Sequence, residues 1–340
     1  MHLIFVVYDS VTNSIFDSQI ALPLVQRKQQ NSNLNITVIS FEKKIDQHLF
    51  TSIINTYPQL NFIFLKKYIF ITRFSLLPAI KQLQKNLSNF NAYQLIARGP
   101  VAGYLCLKAS DAKRYTQIII QARGLLYEEY CYTHHGAQNK LLRFIHAWRA
   151  QQYKKIEATV YTQESVIIEA VSSALKDYLI STYQACPKNI TIAQQDIPAI
   201  IPMAQVHTWR IMIRNQLKLS ETTTVYCYNG SLRAWQCPQQ TIDFFYKQLN
   251  RNARVFLLVL TQDTKFFEQL LLQKKIDSCF YAVLTVPHQE IYKYLAAADI
   301  GLIFRQKNIL NWVSRPTKIL EYQAVGLPII HNNTIAMISS

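Results

Sequence analysis

The sequence predicts an α/β protein of two Rossmann-like, doubly wound domains facing each other across a cleft. Three observations lead there. Short apolar runs alternate with longer helical stretches along nearly the whole chain, the pattern of parallel strands joined by crossover helices. The 340 residues exceed one ordinary α/β core and suit two, at roughly 150 residues each. The alternation breaks at Asp196-Ile197-Pro198, with Pro202 close behind, and this divides the chain into domains 1–197 and 198–340.

Composition narrows the function classes. Half the residues are hydrophobic and 16% are charged, which argues against disorder. Lys+Arg 36 against Asp+Glu 20 leaves a net +16, so an anionic partner is expected: phosphate groups, acidic lipid or nucleic acid. The six cysteines (Cys106, Cys131, Cys186, Cys227, Cys237, Cys279) form no CxxC pair, against both a zinc site and a disulfide framework. Met1-His2 runs directly into a strand and no long uncharged apolar window occurs, so neither a signal peptide nor a membrane span is expected. A reducing, cytoplasmic compartment follows. Only seven glycines occur and none precedes Gly99, so the first strand lacks G-x-G-x-x-G. That argues against a dinucleotide-binding dehydrogenase.

In the first half, Leu3–Tyr8 reads as a buried parallel strand, and the polar turn from Asp9 to Ser14 leads into a helix through Ile20, Leu22 and Val25. Asn13 and Ser14 either cap that helix or face an acceptor in the cleft. Strands follow at Ile36–Phe41 and Asn61–Leu65, with a helix over Asp46–Tyr57 between them. Lys66–Lys85 interleaves Lys66, Lys67, Arg73, Lys81 and Lys85 with aromatic and aliphatic residues. It is either a segment for an anionic membrane interface or a helix with its apolar stripe on the sheet and its lysines in water. Tyr93–Arg98 and Thr116–Ala122 are the next strands; Arg98-Gly99 and Arg123-Gly124 stand at their ends, where an open sheet lines its ligand crevice. Gly103 leaves room for close helix–sheet contact. Glu128 or Glu129 is placed to orient an acceptor hydroxyl, or else is an ordinary exposed helix residue. A basic helix covers Lys140–Lys155, a short strand Thr159–Thr162, a helix ends near Tyr183, and Ile190–Ala193 is the last strand of this half.

The second half repeats the alternation. Val206–Leu217 is a helix with Arg210 and Arg214 on one face; Thr224–Tyr228 is a strand ending in a turn that contains Gly230 and Arg233. Helices at Gln239–Leu249 and Lys265–Leu272 alternate with strands at Val255–Leu260 and Tyr281–Thr285. Helix Ile291–Ala298, strand Ile300–Phe304 and a basic loop with Arg305 and Lys307 follow. Ser314-Arg315-Pro316-Thr317 then opens a helix with Ser as cap, Gly326 closes it, and Leu327–Ile330 is a strand. A basic loop beside a helix N-terminus is an anion site. Lys318 in the first turn suits a phosphate, and Glu321, three residues on, suits sugar hydroxyls; together they read as a nucleotide-sugar pocket.

The order of pieces over Val225–Ile330 resembles GT-B-fold glycosyltransferases, most closely the family-4 group of retaining, nucleotide-sugar-dependent enzymes. The pieces are YNGSL after a strand, LTQD at a strand end, VPHQEIYKYLAAADIGLIFR and RPTKILEYQAVGLPII. The first half matches through its strand-first layout and the stretches DSVTNSIF and ARGP. The resemblance implies a nucleotide-sugar donor site in the second domain and a glycan or lipid-linked acceptor site in the first. It implies that Lys318, with Arg305 or Arg233, holds the diphosphate, and that Glu321 binds the donor ribose. A further glutamate of the family falls on Val313, and the family's Gly-Arg turn is Gly230-Ser231. Members usually carry a further strand–helix unit after the position of Ile330.

The expected activity is therefore transfer of a sugar from a nucleoside diphosphate to an acceptor, of the kind used in cell-envelope polysaccharide synthesis. No cofactor or metal is expected, since Lys318 and an arginine supply the charge and no D-x-D signature occurs. Two other readings stand beside it. One is a catalytically inactive relative that binds a sugar nucleotide or a partner; the other, nucleic-acid binding, has only the net charge behind it.

Overall fold

A computed structural model describes residues 2–12, 16–44, 46–68, 72, 74–136, 139–194, 200–232 and 234–339. By backbone contacts the chain divides into two units, Met1–Asp196 and Ile197–Ser340. The Ile197-Pro198 boundary read from sequence lies outside the described residues, as does Asp196.

Seven strands make the sheet of the first unit: β1 (His2–Val7), β2 (Asn35–Glu42), β3 (Asn61–Lys66), β4 (Tyr93–Arg98), β5 (Tyr115–Ala122), β6 (Val166–Ala170) and β7 (Ile190–Ile192). They lie in the order β3-β2-β1-β4-β5-β6-β7, with every pairing parallel. β1 is buried from Leu3 to Val7 because helices cover both faces of the sheet, which is why it reads as an unbroken apolar run. The chain winds outward from β1 to β3, then crosses back to lay β4 on the other side of β1. At such a reversal the connecting loops part at the carboxyl edge and leave a crevice.

The second unit repeats the plan with five parallel strands: β8 (Thr224–Asn229), β9 (Val255–Leu260), β10 (Tyr281–Leu284), β11 (Ile300–Ile303) and β12 (Ile329–His331). Their order is β10-β9-β8-β11-β12, so the reversal falls between β8 and β11. One core cluster of Val225, Cys227, Leu258, Ile319 and Tyr322 fills one side; Tyr228, Ile242, Leu257 and Phe267 fill another. Arg210 and Arg214 are structural. Arg210 donates to Asp299 at 2.7 Å, and the fully buried Arg214 donates to Ala297 O at 3.1 Å and to Asp299 at 3.4 Å, tying helix Met203–Gln216 to the start of β11.

The structure corrects two local expectations. Thr159–Thr162 is not a strand: helix Lys140–Tyr161 runs through it, and the strand is β6, a few residues later. The β-branched residues there favour extension locally, but Ile156 and Val160 continue the helix's buried stripe and packing overrides propensity. Gly99, at φ +80°, follows the end of β4 as expected and leads into helix Gly99–Ala109. Ser314 does not cap the last long helix. Its hydroxyl donates to Asn311 O at 2.8 Å, because a short helix Ile309–Trp312, capped by Asn308, occupies the loop; helix Thr317–Ala324 starts from Pro316 without a side-chain cap.

Gly103 meets its expectation: a Cβ there would lie 3.0 Å from Ile120 Cδ1 and 3.1 Å from Val160 Cγ1. In Lys66–Lys85, helix Leu77–Leu87 buries Ala79, Ile80, Leu83 and Leu87, the packed-stripe alternative for that part; Arg73 lies outside the described residues. Among the described residues no helix is long and apolar enough to cross a membrane.

Candidate functional site

In the second unit, the carboxyl ends of β8 and β11 converge on the N-terminus of helix Thr317–Ala324. Lys318 stands in the first turn of that helix, almost wholly buried, and its Nζ donates to Gln236 Oε1 at 2.6 Å. The ammonium also lies 4.7 Å from the centre of the Tyr228 ring, a cation–π contact contributing ~1–2 kcal/mol when desolvated. Burial, then the nearby positive charge of Arg305, pushes the Lys318 pKa down to about 7, with Glu321 opposing. Burial likewise lowers the Arg305 guanidinium to about 10. Arg305 donates through Nη1 to Asn311 Oδ1 at 3.1 Å, while its Nε is buried without a hydrogen-bond partner in the protein.

Gly230 is the floor of this corner. With φ +153°, a Cβ there would stand 2.5 Å from Lys318 Nζ and 2.8 Å from Gln236 Oε1, so only glycine lets the lysine lie across the turn. Glu321 is held by Asn229 Nδ2 at 2.6 Å, and Tyr322 OH accepts from Asn229 N at 3.0 Å and donates to Cys227 O at 3.2 Å. Tyr322 reaches them because its ring lies on Gly301, where a Cβ would be 2.6 Å from the ring. Gly230, Arg305, Lys318 and Glu321 are thus brought to one corner; Arg233 lies outside the described residues. Val313 is buried, so no carboxylate is offered at that position. Gln236, Tyr228 and Asn229 were not foreseen, and only the neighbourhood of Asn229 to the Gly230 turn hinted at one of them.

The first unit carries a cavity of about 460 Å³ at the carboxyl ends of β1, β4 and β5. Its wall includes Asp9, Lys67, Arg98, Gly99, Arg123 and Glu129. Arg98 reaches across it to Gln19, donating from Nη1 to the backbone O at 3.4 Å and from Nη2 to the side-chain oxygen. Lys67 pairs with Asp9 at 3.1 Å. The loop after β1 is fixed by the buried Glu42, which accepts from Ser10 Oγ at 2.5 Å, Val11 N at 3.0 Å and Ser40 Oγ at 2.8 Å.

The two candidate carboxylates part company. Glu128 accepts from Tyr178 OH at 3.0 Å and is not in the cavity wall. Glu129 is in that wall, open to solvent at the mouth yet ringed by protein, which raises its pKa above the usual carboxylate range. Helix Leu126–His134, which carries both, starts on Glu157: this buried carboxylate accepts from Leu126 N at 2.8 Å, Tyr127 N at 3.3 Å and Tyr183 OH at 2.7 Å. Burial raises Glu157 to about 7 against these hydrogen bonds. Asn13 and Ser14 lie outside the described residues. Among the described residues, no three His, Cys, Asp or Glu side chains gather as a metal site.

No protein-family model matches the chain, and no curated protein matches it in sequence. Solved structures match it in fold. WaaG, a glycosyltransferase involved in lipopolysaccharide biosynthesis, aligns with TM-score 0.64 at 14% identity over 99% of this chain and 82% of its own. A glycosyltransferase from Rickettsia africae aligns with TM-score 0.61 at 13% identity over 97% and 78%. A Listeria monocytogenes protein described as a UDP-N-acetylglucosamine 2-epimerase aligns with TM-score 0.54 at 10% identity over 97% and 78%. The chain therefore has the two-sheet α/β fold of GT-B glycosyltransferases.

Proposed function

We propose that the protein transfers a sugar from a nucleoside diphosphate to a glycan or lipid-linked acceptor, with the donor in the second unit and the acceptor in the cavity of the first. The observation that carries this is the corner of Lys318, Arg305 and Gly230 at the start of helix Thr317–Ala324. Two cations and an uncapped helix N-terminus concentrate positive potential where a departing diphosphate gains charge. Glu321, held by Asn229, is set one helical turn further along, where ribose hydroxyls can donate to it. The reading assigns no metal, since Lys318 and Arg305 supply the charge themselves; transfer then persists in the presence of a chelator. Retention at the anomeric carbon belongs to the same proposal and rests on the sequence resemblance.

Calorimetry with UDP, GDP and ADP, followed by transfer assays with the matching sugar nucleotides, tests it. One nucleoside diphosphate is expected to bind, and Lys318→Ala to weaken it ~10- to 100-fold, the value of a hydrogen bond to a charged group, while the nucleoside loses far less. Equal losses for both would place the phosphates elsewhere. Binding without turnover across donors and acceptors would favour the inactive, sugar-nucleotide-binding alternative, which the buried Val313 also motivates. Change at sugar carbon 2 without any acceptor would mean epimerisation instead.

A further inference from the structure

The first unit carries an apolar surface that its own core does not use. Helix Lys140–Tyr161 buries Ala150, Tyr153, Ile156, Glu157, Val160 and Tyr161, and nothing before Ala150. Its first three turns instead expose Leu141, Leu142, Phe144 and Trp148, with Phe144 71% and Trp148 49% accessible. Leu141, Phe144 and Trp148 fall at i, i+3 and i+7, one stripe along the helix. Phe144 and Tyr153 are nine residues apart, about half a turn out of phase at 3.6 residues per turn, so the exposed stripe is not a frayed end of the buried one. The neighbouring helix Leu126–His134 touches this segment on another side, through Tyr130 OH and His146 Nδ1 at 2.7 Å.

The charges flanking the stripe are of one sign. Lys140, Arg143, Arg149, Lys154 and Lys155 lie between Asn139 and Ile156, and no Asp or Glu does. A second copy of a chain with net +16 is repelled by such a surface, whereas an anionic one is attracted. Bulky apolar and aromatic side chains beside cations, on a helix with one solvated stripe, match the boundary between acyl chains and acidic headgroups. The geometry points to docking of this helix, through Leu141, Phe144 and Trp148, on a membrane leaflet rich in anionic lipid. Helix Lys140–Tyr161 leads into the amino end of β6, so its first turns stand at the carboxyl edge of the sheet, the edge that holds the cavity. A leaflet there lies beside the place proposed for the acceptor.

Docking is scored without donor or acceptor, so its outcome is separate from that of the transfer reading. The whole chain is sedimented with vesicles of phosphatidylcholine alone and of phosphatidylcholine mixed with phosphatidylglycerol. It is expected to pellet with the mixed vesicles and to be released by salt. Lys140→Ala with Arg143→Ala is expected to lower partitioning ~30-fold, from about 1 kcal/mol per cation at an anionic surface. Phe144→Ser with Trp148→Ser is expected to abolish it while leaving the melting temperature unchanged, since neither side chain is in the core. Equal pelleting with neutral vesicles, no pelleting, or unchanged pelleting of both variants overturns the inference. So does a concentration-dependent dimer that the Phe144 and Trp148 changes disperse, because the stripe would then serve a second copy.

Discussion

Lys318 is the residue at which burial and the proposed role pull in opposite directions. Burial disfavours its charge, Arg305 adds to that and Glu321 opposes it, while the groups it touches, Gln236 and Tyr228, are neutral; the pKa accordingly stands at about 7 rather than in the usual lysine range. A bound diphosphate adds negative charge and restores the protonated form, so the pKa rises on binding. Between the two values, binding takes up a proton and affinity falls as pH rises; well below 7 the lysine is already charged and the effect vanishes. Titrations at about pH 8 in two buffers of different protonation enthalpy are expected to show uptake approaching one proton, lost in Lys318→Ala. An unchanged heat in the two buffers would detach this lysine from the phosphates. The sequence revealed Lys318 and Glu321 because their three-residue spacing at a helix start is local information. Gln236 was invisible, since its contact with Lys318 spans 82 positions and exists only once β8 and helix Thr317–Ala324 have been brought together.

Helix Leu126–His134 shows how one element can depend on a side chain from another. Its first backbone N–H groups are satisfied by Glu157 of the adjacent long helix, and Glu129, itself raised in pKa by burial, adds to the causes that raise Glu157. The folded pKa of Glu157 is about 7, above its ordinary value of 4.5, so the folded state binds more protons between those two pH values. The associated stability is present in full below about 4.5 and is lost as pH rises through about 7, a swing of up to ~3 kcal/mol. Glu157→Gln is expected to flatten the dependence of melting temperature on pH between about 5 and 8, measured by circular dichroism. An unaltered slope would assign the dependence to other groups. Elements were legible in unequal degree. Buried strands such as β1 and β9 declare themselves as apolar runs. The end of helix Lys140–Tyr161 and the start of β6 did not, because Thr159-Val160-Tyr161-Thr162 has strand propensity and only packing decides against it.

Over the whole molecule, each unit has its own sheet and apolar core, and every residue of the proposed donor corner belongs to Ile197–Ser340. That fragment alone is expected to bind a nucleoside diphosphate within about 1 kcal/mol of the full chain, a factor of roughly five by calorimetry. Loss of binding in a folded fragment would mean that the other half supplies essential contacts. The doubly wound architecture was readable from alternation, since it follows from connectivity.

Both sheets change winding direction at the same step, between their first and fourth strands. Each reversal is therefore built within its own sheet, and the loops after β4 and β5 and those after β8 and β11 are carried by separate scaffolds. Under the assignment proposed above, evolution, or an engineer, is free to exchange what receives the sugar while the handle on its carrier stays as it was.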